Sequence, residues 1–294
     1  MPAVACLIAD PQRSPLDPRL VAALAQGVDG KARWLSESEA VEMVSETMEP
    51  VEAEQLLQPL VAGAAVDLAV LPTSQRRKRL LLCDMDSTII TIECIDELAD
   101  MAGIKPQIAA VTRRAMNGEL DFAAALRERV ALLAGLPQEA IARVIEQRLR
   151  LMPGAATLVR TMRARGASTA LVSGGFTAFT RHVQALCGFD HEEANELEIA
   201  AGKLTGRLVG ELRGAAAKLA ALERLRDRLG LAVGDTMAAG DGANDLPMLH
   251  GAGVGVAFHA HERVRAAAPV RIDHGDLTAL LFLQGYRRDE FVAA

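Results

Sequence analysis

The stretch Leu80-Leu-Leu-Cys-Asp-Met-Asp-Ser-Thr-Ile-Ile90, LLLCDMDSTII, sets two carboxylates and two hydroxyls at the end of an apolar run. Asp and Ser are ordinary turn residues, so the run reads first as a buried strand stopped by a turn. Three other stretches share its form: STALV before Ser173, TMAA before Gly240 and VGVAF before His259. Helical segments lie between them. Short buried runs alternating with helices mark a parallel sheet covered on both faces. Such sheets bind ligands beyond the carboxyl ends of their strands, which makes the residues after each run the candidates for chemistry.

Outward from this stretch the chain divides. On its N-terminal side, VACLIAD, PRLVAALAQGV, KARWLSES, AVEMVSET, EAEQLLQPLV and VDLAVLP predict strand, helix, strand, strand, helix, strand. That order predicts a small α+β unit of the split βαβ kind over residues 1–74. Pro72 to Arg79 breaks the apolar pattern and reads as a linker, its Arg76-Arg-Lys-Arg79 cluster solvated. On the other side, about Thr91 to Glu146 interrupts the rhythm with Ala, Leu, Arg and Glu at helical spacing. A structureless loop of that length is improbable, so residues 91–149 are expected to form a helical cap, leaving a core of 75–90 and 150–294. LEIAAGKLTGRLVG, Leu197 to Gly210, alternates apolar and polar residues around Ala201-Gly202-Lys203 and predicts a β-hairpin. The expected fold class is α/β: a doubly wound parallel sheet, a helical cap inserted after its first strand, and a small N-terminal α+β unit.

Half of the 294 residues are apolar, enough for at least one large core, and the formal charge of −6 carries no footprint for nucleic acid. No apolar run approaches the roughly 18 residues of a membrane span. The opening MPAVACLIADPQ has no positive n-region, which predicts no secretory leader and a cytoplasmic protein. Cys6, Cys83, Cys94 and Cys187 have no metal or redox spacing and read as reduced core residues.

Three strand ends carry polar clusters: DMDST at Asp84, SGGF at Ser173 and GDGANDLPM at Gly240. A helix beginning near Gly214 carries Lys218. In a parallel sheet these face one crevice, where Asp84, Asp86, Asp241 and Asp245 gather four carboxylates. Repulsion on that scale calls for a hard divalent cation with oxygen ligands, and Mg²⁺, which keeps waters beside one or two carboxylates, leaves room for a phosphate. Lys218 adds a point charge suited to phosphate. Ser173 with the amides of Gly174 and Gly175 makes a hydroxyl and backbone nest for phosphoryl oxygens.

DxDST, Ser, Lys and GDGxND in this order resemble the four motifs of the haloacid-dehalogenase superfamily, over roughly residues 80 to 285. The resemblance implies that Asp84 is a nucleophile forming an aspartyl phosphate and Asp86 a general acid and base, with Ser173 and Lys218 completing the catalytic set. It also implies Mg²⁺ held by Asp84, the backbone carbonyl of Asp86 and Asp241, with Asp245 beside it. Asn244 reaches the phosphate, and Ser87 and Thr88 support the loop.

DMDSTIITIECIDELA, AMNGELDF and RVALL narrow the resemblance to phosphoserine phosphatases. Carried over, Glu93 binds the substrate ammonium, Arg129 forks the α-carboxylate, and Met116 and Phe122 close the pocket. The substrate so implied is O-phospho-L-serine, cleaved to L-serine and phosphate in the last step of serine biosynthesis. Two other enzymatic readings keep the same core: phosphotransfer to an alcohol, and hydrolysis of another small phosphoester such as phosphothreonine or a homoserine phosphate. A third makes the chain an amino-acid sensor with a vestigial core, which the intact Asp84, Asp86, Ser173, Lys218 and Asp241 oppose. The N-terminal βαββαβ order resembles ACT-type regulatory domains, which pair and bind amino acids. Homodimerisation through that unit and a purely structural role are the alternatives.

Overall fold

A computed structural model describes residues 2–117 and 119–293. The N-terminal part runs β1 (Ala3–Ile8), α1 (Pro18–Gly27), β2 (Lys31–Ser36), β3 (Ala40–Ser45), α2 (Pro50–Leu57) and β4 (Asp67–Pro72). Among the described residues these strands form an antiparallel sheet in the order β2-β3-β1-β4, the split βαβ arrangement. Asp17 starts α1 by accepting the Arg19 amide at 2.8 Å, with Pro18 at the first helical position, where its missing N–H costs nothing.

β5 (Leu80–Cys83) then opens a second sheet. Four helices follow it: α3 (Cys94–Met101), α4 (Lys105–Met116), α5 (Phe122–Leu132) and α6 (Glu139–Gln147). The chain returns through α7 (Ala155–Ala164), β6 (Ser168–Phe176), α8 (Thr177–Cys187), β7 (His191–Ala200) and β8 (Lys203–Val209). It ends with α9 (Ala215–Arg228), β9 (Thr236–Gly240), α10 (Leu246–Gly251), β10 (Val254–Phe258), α11 (Glu262–Ala267), β11 (Val270–Ile272) and α12 (Ala279–Leu283). The sheet order is β11-β10-β9-β5-β6-β7-β8, parallel except for β8, which pairs antiparallel with β7. The β7–β8 turn sits at Ala201 and Gly202, both at positive φ, as a two-residue hairpin requires. β6 runs further than its apolar run suggested, through Ser173-Gly174-Gly175, and its register with β7 breaks between Val172 and Phe176.

β5 shows why a continuous apolar run suits this position. Leu80 and Leu82 pack with Leu222 and Leu225 of α9 on one face, while Leu81 and Cys83 belong to the larger core on the other. Successive strand residues point to opposite faces, and here both are covered. All four cysteines are free and buried. Among the described residues no helix is long and apolar enough to cross a membrane.

β1 also serves two cores. Ala3, Ala5 and Leu7 pack beneath α1 and α2, and Val4, Cys6 and Ile8 join the large core that includes Leu281 and Phe282 of α12. The expectation of a solvated basic cluster holds for the exposed Arg77 and Arg79 but fails for Arg76 and Lys78, which lie between two packed bodies. Arg76 pairs with Glu42 of β3 and donates to the Leu283 carbonyl, and the buried Lys78 ammonium donates to the carbonyls of Gln75 and Gly234, both at 2.7 Å. The buried Asp67 carboxylate of β4 accepts the amides of Asp273 (2.7 Å), His274 and Gly275 (2.8 Å) across the junction. Asp67→Ala is expected to cost about 2–3 kcal/mol in urea unfolding, because each buried amide left without an acceptor costs about 1–3 kcal/mol. A loss below about 0.5 kcal/mol, the range of neutral surface changes, would show that this contact does not hold the two sheets together.

Candidate active site

The sheet register places the site. Cys83 of β5 pairs with Ala239 of β9 on one side and Leu171 of β6 on the other. Asp84, Gly240-Asp241 and Ser173 therefore emerge at the same edge, and α9 crosses behind them with Lys218. Lys218 is 1% exposed, and its ammonium lies 2.7 Å from Asp84 Oδ1 and 2.5 Å from Asp245 Oδ1. Asp84 Oδ1 also accepts the Met85 amide at 2.7 Å, while among the described residues Oδ2 has no hydrogen-bond partner. Asp245 Oδ2 accepts the Gly242 amide at 3.0 Å, and Asp241 Oδ1 accepts the Thr88 hydroxyl at 3.0 Å.

One oxygen from each of Asp84, Asp241 and Asp245 lies within 4.8 Å of the others. Electrostatics follow from that crowding. Burial and the Asp245 charge push the Asp84 carboxyl well above the usual range, against the pull of Lys218. Burial and Asp245 raise Asp241 to about 6. Burial alone would discharge Lys218, but Asp245 and Asp84 outweigh it and hold its pKa above that of ordinary lysine. Three carboxylates against one ammonium leave a net negative, oxygen-only donor set, which fits a hard divalent cation.

The expectation of four gathered carboxylates needs correction, because three meet. The Asp86 carboxylate is not part of that trio, and its Oδ1 accepts the Cys94 amide at 3.0 Å. A Cβ on Gly175 would lie 2.7 Å from Asp86 Oδ2, so that glycine makes room for it. Burial and the neighbouring Glu93 charge push Asp86 up to about 7. Ser173 is buried, and its hydroxyl oxygen already accepts the Gly175 amide at 2.8 Å, so one of the two expected nest amides is turned inward. Asn244 is half-buried on the single turn Ala243–Asp245, its side-chain oxygen against Gly242.

The α3–α6 segment brings its own groups. Glu93 precedes α3 and accepts the Ser87 hydroxyl at 2.6 Å. Arg129, two turns along α5 from Phe122, is half-buried; among the described residues it has no ion-pair partner and only a long bond, 3.4 Å, to the Ala125 carbonyl. Burial lowers its pKa, and Asp96, Glu93 and Asp86 oppose that from nearby. A Cβ at Gly174 or at Gly214 would come within 3.0 Å of the Phe122 ring, so this side chain lies against the phosphate-loop candidate. The side chain of Met116 falls outside the described residues.

Sequence reading missed two contacts. It gave Thr88 only loop support, whereas Thr88 holds Asp241 from 153 positions away. It passed over Asn195, which no local signal sets apart from the other polar residues of β7.

Residues 81–250 match the family model of haloacid dehalogenase-like hydrolases. The chain belongs to that family. A phosphoserine phosphatase of Streptomyces coelicolor is 45% identical over 249 residues, which cover 83% of this chain and 60% of that one. A phosphoserine phosphatase of a Polaromonas species is 44% identical over 226 residues, 75% of this chain and 96% of that one. The chain thus spans about three-fifths of the Streptomyces relative and nearly all of the Polaromonas one. Among solved structures, a HAD family hydrolase from Salmonella enterica serovar Typhi superimposes with a TM-score of 0.85 at 31% identity, over 96% of this chain and 98% of that one.

Removing the ammonium from this site strands buried carboxylates, and breaking a buried pair that way costs about 3–5 kcal/mol. Lys218→Ala is expected to lose that much in urea unfolding in metal-free buffer. A loss of about 0.5 kcal/mol, as for a solvated surface lysine, would overturn the placement of Lys218 between the two aspartates.

Proposed function

We propose that the protein hydrolyses O-phospho-L-serine to L-serine and phosphate through a phosphoenzyme on Asp84, with Mg²⁺ as its cofactor. The observation that carries the substrate is Arg129: a half-buried guanidinium without a carboxylate partner among the described residues, electrostatically linked to Glu93, beside a phosphate-directed carboxylate cluster. A zwitterionic amino acid needs one anion for its ammonium and a fork for its carboxylate. The names of the Streptomyces and Polaromonas relatives support the same reading.

In this reading the phosphoryl group of the ester lies between Asp84 and Ser173. Asp84 Oδ2, which has no hydrogen-bond partner among the described residues, attacks phosphorus while Oδ1 stays held by Met85 and Lys218. Asp86 donates a proton to the departing serine oxygen, then takes one from the water that attacks the aspartyl phosphate, which releases phosphate and restores Asp84. Lys218, the Ser173 hydroxyl, the Gly174 amide and Asn244 steady the equatorial phosphoryl oxygens. Asp84, the backbone carbonyl of Asp86 and Asp241 would hold Mg²⁺, with Asp245 beside it. When bound, the ion supplies positive charge opposite the phosphoryl oxygens and offsets the carboxylate cluster. Residues 91–149 act as a cap: Glu93 and Arg129 grip the amino acid, and Phe122 and Met116 exclude water from the aspartyl phosphate. Residues 1–74 form a separate unit fixed to the core.

A panel of O-phospho-L-serine, phosphothreonine, phosphoglycolate, homoserine phosphate and an aryl phosphate, each with Mg²⁺, tests the substrate. A preference for phosphoserine is expected, and its absence would sink the assignment. Excess chelator should abolish turnover and added Mg²⁺ restore it. Asp84→Asn should abolish turnover while substrate still binds; more than a few per cent residual activity would mean another nucleophile. Arg129→Ala should raise KM for phosphoserine about 10- to 100-fold, as loss of a charge-assisted bond of about 1.5–3 kcal/mol implies. It should change aryl phosphate hydrolysis far less, and equal losses on both esters would make Arg129 structural.

A further inference from the structure

Asn195 is buried in β7, beside the strand that carries Ser173. Its Nδ2 donates to the carbonyls of Gly174, at 2.9 Å, and Arg213, at 3.1 Å, and its Oδ1 accepts the Arg213 amide at 2.7 Å. A primary amide has two donor hydrogens and one acceptor oxygen, so all three functions are in use. By pairing with both the N–H and the C=O of residue 213, one side chain reproduces a strand-to-strand bond pair where β8 has already ended. The Arg213 guanidinium adds a second tie, to Glu193 of the same strand at 2.7 Å.

The two segments so fastened come from distant parts of the chain. One is the Ser173-Gly174-Gly175 loop. The other leads through Gly214 into α9, four residues before Lys218. The Phe122 ring lies against both, since an added Cβ at Gly174 or Gly214 would meet the ring at 3.0 Å. Neither glycine has a positive φ, so what glycine provides at these two positions is space rather than backbone freedom. The seat for the ring therefore exists only while the two backbones keep their spacing, and the Asn195 amide spans that spacing.

We infer that Asn195 is a positioning residue that sets the phosphate loop and the seat of Phe122 together, so that the cleft and its cover are aligned by one buried amide. The inference rests on the phosphoserine reading above, in which Phe122 covers the cleft. Asn195 touches no reacting atom. It acts through the Gly174 carbonyl on the loop and through Gly214 on Phe122.

The test is a double-mutant cycle on the full chain with Mg²⁺, reading kcat and KM for O-phospho-L-serine and for an aryl phosphate, with thermal unfolding recorded for every variant. Asn195→Asp keeps the size and the acceptor but turns a carboxylate oxygen toward two carbonyls, and Asn195→Ala removes every bond. Both are expected to lower kcat about tenfold or more on either ester, a loss of about 1.4 kcal/mol per tenfold in the transition state. The loss in kcat/KM should be larger for phosphoserine. In a Phe122→Ala background that extra loss should disappear. Folded variants within about threefold of wild type on the aryl phosphate, or an extra loss on phosphoserine that persists in full in the Phe122→Ala background, would overturn the inference. Should both Asn195 variants fail to fold, Gly214→Ala decides, because it crowds the ring and leaves every Asn195 bond in place. Its loss on phosphoserine should likewise vanish with Phe122→Ala, and a multiplicative loss would overturn the seat. The two readings fail separately. Wild-type protein that cleaves the aryl phosphate and ignores phosphoserine sinks the substrate reading, while the Asn195 variants on the aryl phosphate still decide the positioning role.

Discussion

The site turns on one buried ammonium. Lys218 lies between Asp84 and Asp245 with no access to water, and each of those carboxylates is itself fixed by a backbone amide, Met85 for one and Gly242 for the other. A buried pair gains little net stability, because desolvation offsets most of the attraction, but it strongly penalises any arrangement that separates the partners. The charge balance explains the backbone around it. A Cβ at Gly240 would lie 2.6 Å from Asp245 Oδ2, so the strand end must be glycine for the third carboxylate to reach the ammonium. Asp241 shares none of that ammonium and takes the Thr88 hydroxyl instead. The set that remains is still net negative, which makes the crevice a place for added positive charge.

The turn after β5 joins this balance to Glu93. Ser87 has a φ of +54°, a left-handed conformation that a residue with a side chain pays to adopt. Its amide donates to the Ile92 carbonyl at 3.3 Å and its hydroxyl to Glu93, so the strained residue is tied at both ends. The same turn aims the Asp86 carboxylate away from the carboxylate trio and toward the Cys94 amide. One short loop thus separates the two aspartates of DMD into different environments and places Glu93 beside the second. The bond from Ser87 leaves Glu93 an acceptor, free to take further donors on its other oxygen.

What could be read from residues alone was what depends on local pattern. The strand ends of LLLC and TMAA, the hairpin around Ala201-Gly202-Lys203 and the start of α9 near Gly214 all follow from short-range periodicity and turn chemistry, and the structure has them where the pattern placed them, whereas STALV continues to Phe176. Motif order placed Asp84, Asp241, Asp245 and Lys218 on one crevice. Orientation was another matter. Which way the Asp86 carboxylate faces depends on Gly175, nearly ninety positions later, and the partner of Thr88, Asp241, follows the end of a strand that only the sheet order brings near. Asn195 is one of several polar residues in β7 and nothing local marks it out, because its meaning lies in two backbone segments that no sequence window contains.

The N-terminal unit illustrates the same limit from the side of packing. Alternation in VACLI gave β1 two faces, but not what the second face touches. In the folded chain Val4, Cys6 and Ile8 are part of the core that also holds Met85 and Ile89, the residues flanking the catalytic candidates. Arg76 and Lys78, which read as solvated charges, satisfy carbonyls from three separate segments at that junction. An apolar seam closed by bonded backbone groups behaves as an interior rather than as a hinge, since opening it would expose those groups and the apolar surface together.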